Sequence, residues 1–160
     1  MRKKKRKATD CIKVRGFFRA QLVDHETGKI VGDSGWCPNT VTEYGLDNAC
    51  AGASIGASGS CQALSGVIAT QSTAVDATQI SLVGTDGAVT DFTPSTVATG
   101  TARNTCSFAG SDLGGTITVG SVGMHSNTNA ATDLLAGQTF TTSQMATNQD
   151  LNITYELRFS

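Results

Sequence analysis

The sequence predicts an all-β domain, an antiparallel β-sandwich or jelly-roll-like barrel, with one short helix and a flexible basic arm at the N-terminus. Three observations lead there. Apolar and polar residues alternate over 11–23 and again over 151–159, the period-two pattern of strands with one buried face. Gly, Ala, Ser and Thr fill places that charged and large apolar residues take in an average domain, a mixture suited to short strands joined by turns. Turn signals recur at roughly the 8–12-residue spacing of sandwiches and barrels.

The arm comes first. Arg2-Lys3-Lys4-Lys5-Arg6-Lys7 is a run of like charges that repel one another and bury nothing, so residues 1–10 read as a solvated arm. Residues 11–160 then form a single β domain, long enough to enclose a real core. From Cys11 to Val23, Ile12, Val14, Phe18 and Leu22 share one face, and Lys13, Arg15, Phe17, Arg19 and Gln21 the other. Asp24-His25-Glu26-Thr27-Gly28 supplies a turn, and Lys29-Ile30-Val31 starts a return strand toward Trp36, completing a β-hairpin. Thr40 and Glu43 fit a capping box for a helix of about ten residues, with Val41, Tyr44, Leu46 and Ala49 facing the core. Gly45 weakens that helix and Gly52 ends it. Residues 51–75 are rich in small residues and read as loops around one strand near Leu64–Ala69. Further strands are expected near Gln79–Val83, Val97–Phe108, Thr116–Met124 and Asp133–Phe140, with Asp86-Gly87 as hairpin chemistry. The last strand, Leu151–Phe159, should bury Leu151, Ile153, Tyr155, Leu157 and Phe159.

The net charge of −1 hides a division. Residues 1–19 hold nine basic side chains and one acid, Asp10; from residue 20 on, three basics (Lys29, Arg103, Arg158) face twelve acids. No apolar run approaches the roughly 18–20 residues that span a bilayer, and no apolar h-region follows the charged opening, so neither a membrane segment nor a secretory leader is expected. Five cysteines (Cys11, Cys37, Cys50, Cys61, Cys106) stand at irregular spacings without a C-x-x-C pair. They read as small buried hydrophobes rather than a zinc site, and their odd number leaves one over in any intrachain pairing.

Catalytic readings find little support. Gly32-Asp33-Ser34-Gly35 looks like the nucleophile segment of a serine protease, but only His25 precedes Ser34, and it lies across the hairpin. Gly52-Ala53-Ser54-Ile55-Gly56 is a formal G-x-S-x-G, yet a helix precedes it and Gly/Ser-rich sequence follows, the reverse of a nucleophile elbow. His25 reads as a solvated turn residue and His125 as a surface or hydrogen-bonded one. No H-E-x-x-H or D-x-D-x-D-G pattern accompanies them. The chain is therefore expected to be no enzyme, with no catalytic residues, cofactor or metal. Asn152-Ile153-Thr154 matches a glycosylation sequon but sits inside an expected strand.

Candidate contact residues are Arg2, Lys3, Lys4, Lys5, Arg6 and Lys7, together with Arg15, Phe17 and Arg19 on the outer face of the first strand. The arm can act as a solubilising tail, as a salt-sensitive nucleic-acid contact, or as a clamp on an acidic protein surface. A DNA-binding domain usually carries positive charge into its folded body; this body is acidic, which favours a protein partner. Phe17 can stack on a base, but no further exposed aromatics line up beside it, and packing under a neighbouring subunit is the better reading.

The order of segments resembles small structural proteins of tailed bacteriophages in decoration, collar or fibre-like positions. Three blocks carry this: the hairpin from Phe18 to Val31 leading to Trp36; Asn39-Thr40-Val41-Thr42-Glu43-Tyr44-Gly45-Leu46-Asp47, similar to an "N-x-(I/V)-T-x-x-G-L" pattern; and the C-terminal half through Val119-Gly120-Ser121-Val122-Gly123-Met124 to Leu151–Phe159. Such proteins often show "I-x-E-V-G-L" at the middle block, where this chain lacks the acid. The resemblance implies a virion structural protein, made in a bacterial cytoplasm, that binds capsid, neck or tail subunits and forms homo-oligomers. The alternative expectation is a nucleic-acid-binding module that uses the arm.

Overall fold

The computed structural model describes residues 13–51, 65–126 and 132–160. Ten antiparallel strands account for most of them: β1 (Val14–Asp24), β2 (Ile30–Asp33), β3 (Cys37–Val41), β4 (Ser65–Ala69), β5 (Thr85–Asp91), β6 (Thr93–Ala98), β7 (Thr101–Ala109), β8 (Ile117–His125), β9 (Leu134–Met145) and β10 (Gln149–Phe159). Neighbours run β5-β4-β8-β9-β3-β1-β10-β7-β6, with β2 also on β1. The all-β expectation holds, as a nearly closed, barrel-like sheet.

Two corners bring the two halves together. β3 pairs with β1 through Cys37–Asn39 and with β9 through Thr40 and Val41. At the other corner, β5 pairs with β4 and β6 with β7, and only Phe92 separates β5 from β6. One length of chain thus serves both ends of the strand order, and the Phe92 ring is buried where it turns inward. The core lies between the halves: Phe18, Phe108, Leu151, Ile153 and Tyr155 from one side, Ile68, Val122, Met124, Leu135 and Met145 from the other. Phe18, Tyr155, Phe92 and Phe140 form its aromatic centre, with ring centroids 5.8–6.3 Å apart in stacked, tilted and edge-on pairs.

The alternating segments form strands where the pattern predicts them. β1 and β10 pair along eleven residues in continuous register, Val14 opposite Phe159 and Asp24 opposite Gln149. Leu151, Ile153 and Tyr155 are buried and Leu157 packs against the core, but Phe159 at the rim is exposed, because the sheet ends there and no described residue covers it. In the hairpin turn, Asp24 Oδ1 accepts from the Thr27 amide and hydroxyl, which holds the chain for its reversal.

Several expectations need correction. The cap of the helical turn is Thr42, whose Oγ1 accepts from Gly45 N at 3.0 Å and donates to the carbonyl of Leu134; Thr40 belongs to β3. The helical turn itself, Gly45–Ala51, is of the wide π type. Gly45 is there because a Cβ would collide with the backbone carbonyl of Leu135, so close approach to β9 outweighs helix propensity. Gln79–Val83 is no strand but part of a loop, held by hydrogen bonds such as Leu134 N to Ile80 O. Val97–Phe108 is two strands, β6 and β7, reversed at Gly100 with φ +74°. Asp86-Gly87 lies within β5, at a register shift opposite Val67–Ala69, rather than in a hairpin turn. The arm with Cys11 and Ile12, the Gly52–Gly56 segment, Cys61 and Leu64 fall outside the described residues.

Candidate functional site

The outward face of β1, β10 and β7 is built by register. Phe17 lies opposite Glu156, and Glu156 opposite Arg103; one row over, Arg15 lies opposite Arg158. Because side chains alternate across a pleated strand, the pattern that buries Phe18, Tyr155 and Asn104 brings Phe17, Glu156 and Arg103 together outside. Cross-strand neighbours on one face stand about 4.5–5.5 Å apart. Long side chains can therefore meet across three strands.

Glu156 is the centre of this face. Only 4 % of its side chain is exposed, and each oxygen is claimed by one guanidinium. Arg103 donates Nε and Nη2 to Oε1 at 3.0 and 2.5 Å; Arg158 donates Nε and Nη2 to Oε2 at 3.0 and 2.7 Å. Burial acts to raise the carboxyl's pKa, but the hydrogen bonds and charges of the two arginines outweigh it, and it is held below its ordinary value. The two arginines keep 35 % and 45 % of their side chains in solvent, so their other donors remain available.

The aromatic rings lie against the same cations. The Arg158 guanidinium sits 4.2 Å from the centroid of Phe17, and Arg158 and Arg103 lie 5.8 and 5.9 Å from Trp36. Trp36 is more than two-fifths exposed. It follows the Gly32-Asp33-Ser34-Gly35 segment, which is a device for handing β1 from β2 to β3. Ser34 N donates to Ala20 O, and Ser34 Oγ accepts from Ala20 N at 2.9 Å while donating to Gly35 O at 2.8 Å. Gly35 has φ +65°. The hydroxyl at the serine of this protease-like match is thus tied to the backbone in both directions. Asp33 accepts from Arg19 Nε and Nη2 at 3.0 and 2.5 Å and from Gly35 N at 2.9 Å, and the Arg19 bond above all holds its carboxyl far below the usual range.

Other titratable groups stand apart from this face. His25 Nδ1 meets Asp150 Oδ2 at 2.9 Å on the surface, and that hydrogen bond raises its pKa. His125, read as a surface or hydrogen-bonded residue, is fully buried at the end of β8. Its Nδ1 meets Thr132 O at 2.7 Å, and burial lowers its pKa. Cys37 is half-buried and Cys106 buried, both free thiols, and burial pushes Cys106 up to about 12. A cleft of about 500 Å³ opens between β1–β2 and the far half of β9, floored by Leu22, Val119, Phe140 and Leu151. Among the described residues, no three His, Cys, Asp or Glu side chains gather as a metal site, and no helix is long and apolar enough to cross a membrane.

Comparisons with protein-family models, with curated proteins and with solved structures return no match for this chain. The geometry must carry the functional reading. Of the contact residues named from the sequence, Arg2–Lys7 lie outside the described residues, while Arg15, Phe17 and Arg19 share the outer face of β1. Arg19 is bound to Asp33, and Phe17 is covered by Arg158. Sequence reasoning missed Trp36, Arg103, Arg158 and Glu156. The available signal was that Arg103 and Arg158 are cations of an otherwise acidic body and that both fall in alternating segments.

Proposed function

We propose that the chain is a non-enzymatic structural protein of a bacteriophage virion, docking on other capsid, neck or tail subunits through the outer face of β1, β10 and β7. The single observation that carries the docking role is the buried Glu156 holding Arg103 and Arg158 against Phe17 and Trp36. Rigid arginine and tryptophan side chains are what interface hot spots are made of, because little rotamer entropy is left to lose on contact. The resemblance of the segment order to that of small phage structural proteins supports the virion setting.

A nucleic-acid role for this face is the weaker reading. Bases stack on open aromatic faces, whereas guanidinium groups already lie over both Phe17 and Trp36. The test is quantitative mass spectrometry of purified particles of the virus that encodes the chain. A fixed copy number that survives nuclease treatment is expected. Absence from the particles, or release by nuclease, would overturn the proposal.

A further inference from the structure

We infer that this protein binds a second copy of itself head to tail, the cation–aromatic face of one copy lying on an acidic, aliphatic flank of the next. The inference rests on the docking face described above and names its partner.

The fold gathers its described cations in one sheet half, where six acids (Asp24, Glu26, Asp33, Asp112, Asp150 and Glu156) accompany them, and leaves the other half with acids alone. Among the described residues every Lys and Arg belongs to β1, β7, β10 or the residues that lead into β1 and β2: Lys13, Arg15, Arg19, Lys29, Arg103 and Arg158. Residues 42–92 and 113–146, which include β4, β5, β8, β9 and the helical turn, contain six acids and neither Lys nor Arg. Those acids are Glu43, Asp47, Asp76, Asp86, Asp91 and Asp133.

The flank has a definite construction. The 70–84 loop lies on the outer face of β8 and β9, where Val75 and Leu82 pack with Ala69 and Leu134 in a small core of their own. Gly123 and Gly137 make room for it, since a Cβ at Gly123 would stand 2.9 Å from Leu82 and one at Gly137 3.2 Å from Val75. Glu43 N donates to Ala77 O at 2.7 Å, which joins the start of the helical turn to the loop. Mutual amide hydrogen bonds between Gln71 and Gln79 brace it. Having buried two apolar side chains, the loop leaves two others in solvent: Ile80 at 57 % and Val83 at 68 % exposure. Leu46 is exposed as well, and Glu43, Asp47 and Asp76 are exposed among these residues.

The outer face of β1, β10 and β7 is basic and aromatic where Arg15, Arg103 and Arg158 outnumber Glu156, and the flank is acidic and aliphatic. Each mixes apolar area with charge, and the signs are opposite, the arrangement that steers and registers an interface. They lie on opposite sides of the two-layer core, so one copy cannot satisfy both by itself, and a contact between them is heterologous. Such a contact repeats, giving a ring if the rotation closes and a stack if it does not.

Sedimentation velocity of the full chain tests this. Association is expected at about 50 mM NaCl and weakens about tenfold or more near 500 mM, as screening shortens the reach of the charges. Arg15→Glu with Trp36→Ala removes one surface, and Glu43→Lys with Asp47→Lys the other, all at exposed side chains. Each double variant alone should be monomeric. Mixed one to one, they should form a complex of two chains and no larger species, because each retains one good surface. Circular dichroism checks the fold; should Trp36→Ala disturb it, Arg15→Glu alone replaces that variant. A wild type that is monomeric at low salt, a variant that self-associates as the wild type does, or a mixture that stays monomeric would each overturn the inference. None of these results alters the outcome of the particle experiment.

Discussion

Replacing Glu156 by Gln keeps the shape of the side chain and removes its charge. Four hydrogen bonds to guanidinium donors converge on this carboxylate. Fully buried, bonds to charged groups contribute about 1.5–3 kcal/mol each. Here both arginines are more than a third exposed, so solvent screens the pairs, and burying the carboxylate itself carries a cost. Gln also turns an amide N–H₂ toward guanidinium donors that it cannot satisfy. The expected loss is about 2 kcal/mol at pH 7, or about 4–8 °C in Tm for a chain of this size. Urea unfolding followed by Trp36 fluorescence should show a lower midpoint at unchanged slope. The pH dependence gives a second check. Because Glu156 is held below its ordinary value of 4.5 in the folded state, the unfolded chain binds more protons in that interval. Its contribution is complete above the unfolded pKa and is lost as pH falls through the folded one. The gap between wild type and variant should therefore narrow in acid, while the acid loss due to Asp33 is common to both and cancels. A gap below about 0.5 kcal/mol at pH 7, which is ordinary for a surface change, would refute the reasoning, as would one that does not narrow.

Two further substitutions test the core and the helical turn. The Tyr155 hydroxyl is buried with no partner among the described residues, so Tyr155→Phe should raise stability by about 1 kcal/mol, read as a higher urea midpoint; a loss of stability would show the hydroxyl to be satisfied. Gly45→Ala should destabilise by about 2–3 kcal/mol, since the new Cβ meets the Leu135 carbonyl. Helix propensity alone predicts a gain of up to about 1 kcal/mol, so the sign of the measured change decides between the two arguments.

The sequence by itself determined the strands that bury one face and show the other. β1 and β10 alternate because each lies between a core and an outer surface, and that constraint is written along a single strand. It also determined that the body is acidic and the N-terminus basic. β5 and β6 were not legible as two strands, because their chain changes partners at Phe92, from β4 to β7, and pairing is a property of the folded sheet. Gly45 misled because its role is set by β9, about ninety residues away in the chain. The proposed docking face was half legible: Arg15, Phe17 and Arg19 lie within one strand. Glu156, Arg103 and Arg158 come from strands that pair only in the folded sheet, and Trp36 reaches them through the Ser34 switch. Only the tertiary structure decided that the cations among the described residues of an acidic body share one sheet half, since cross-strand register, unlike periodicity, depends on which strands become neighbours.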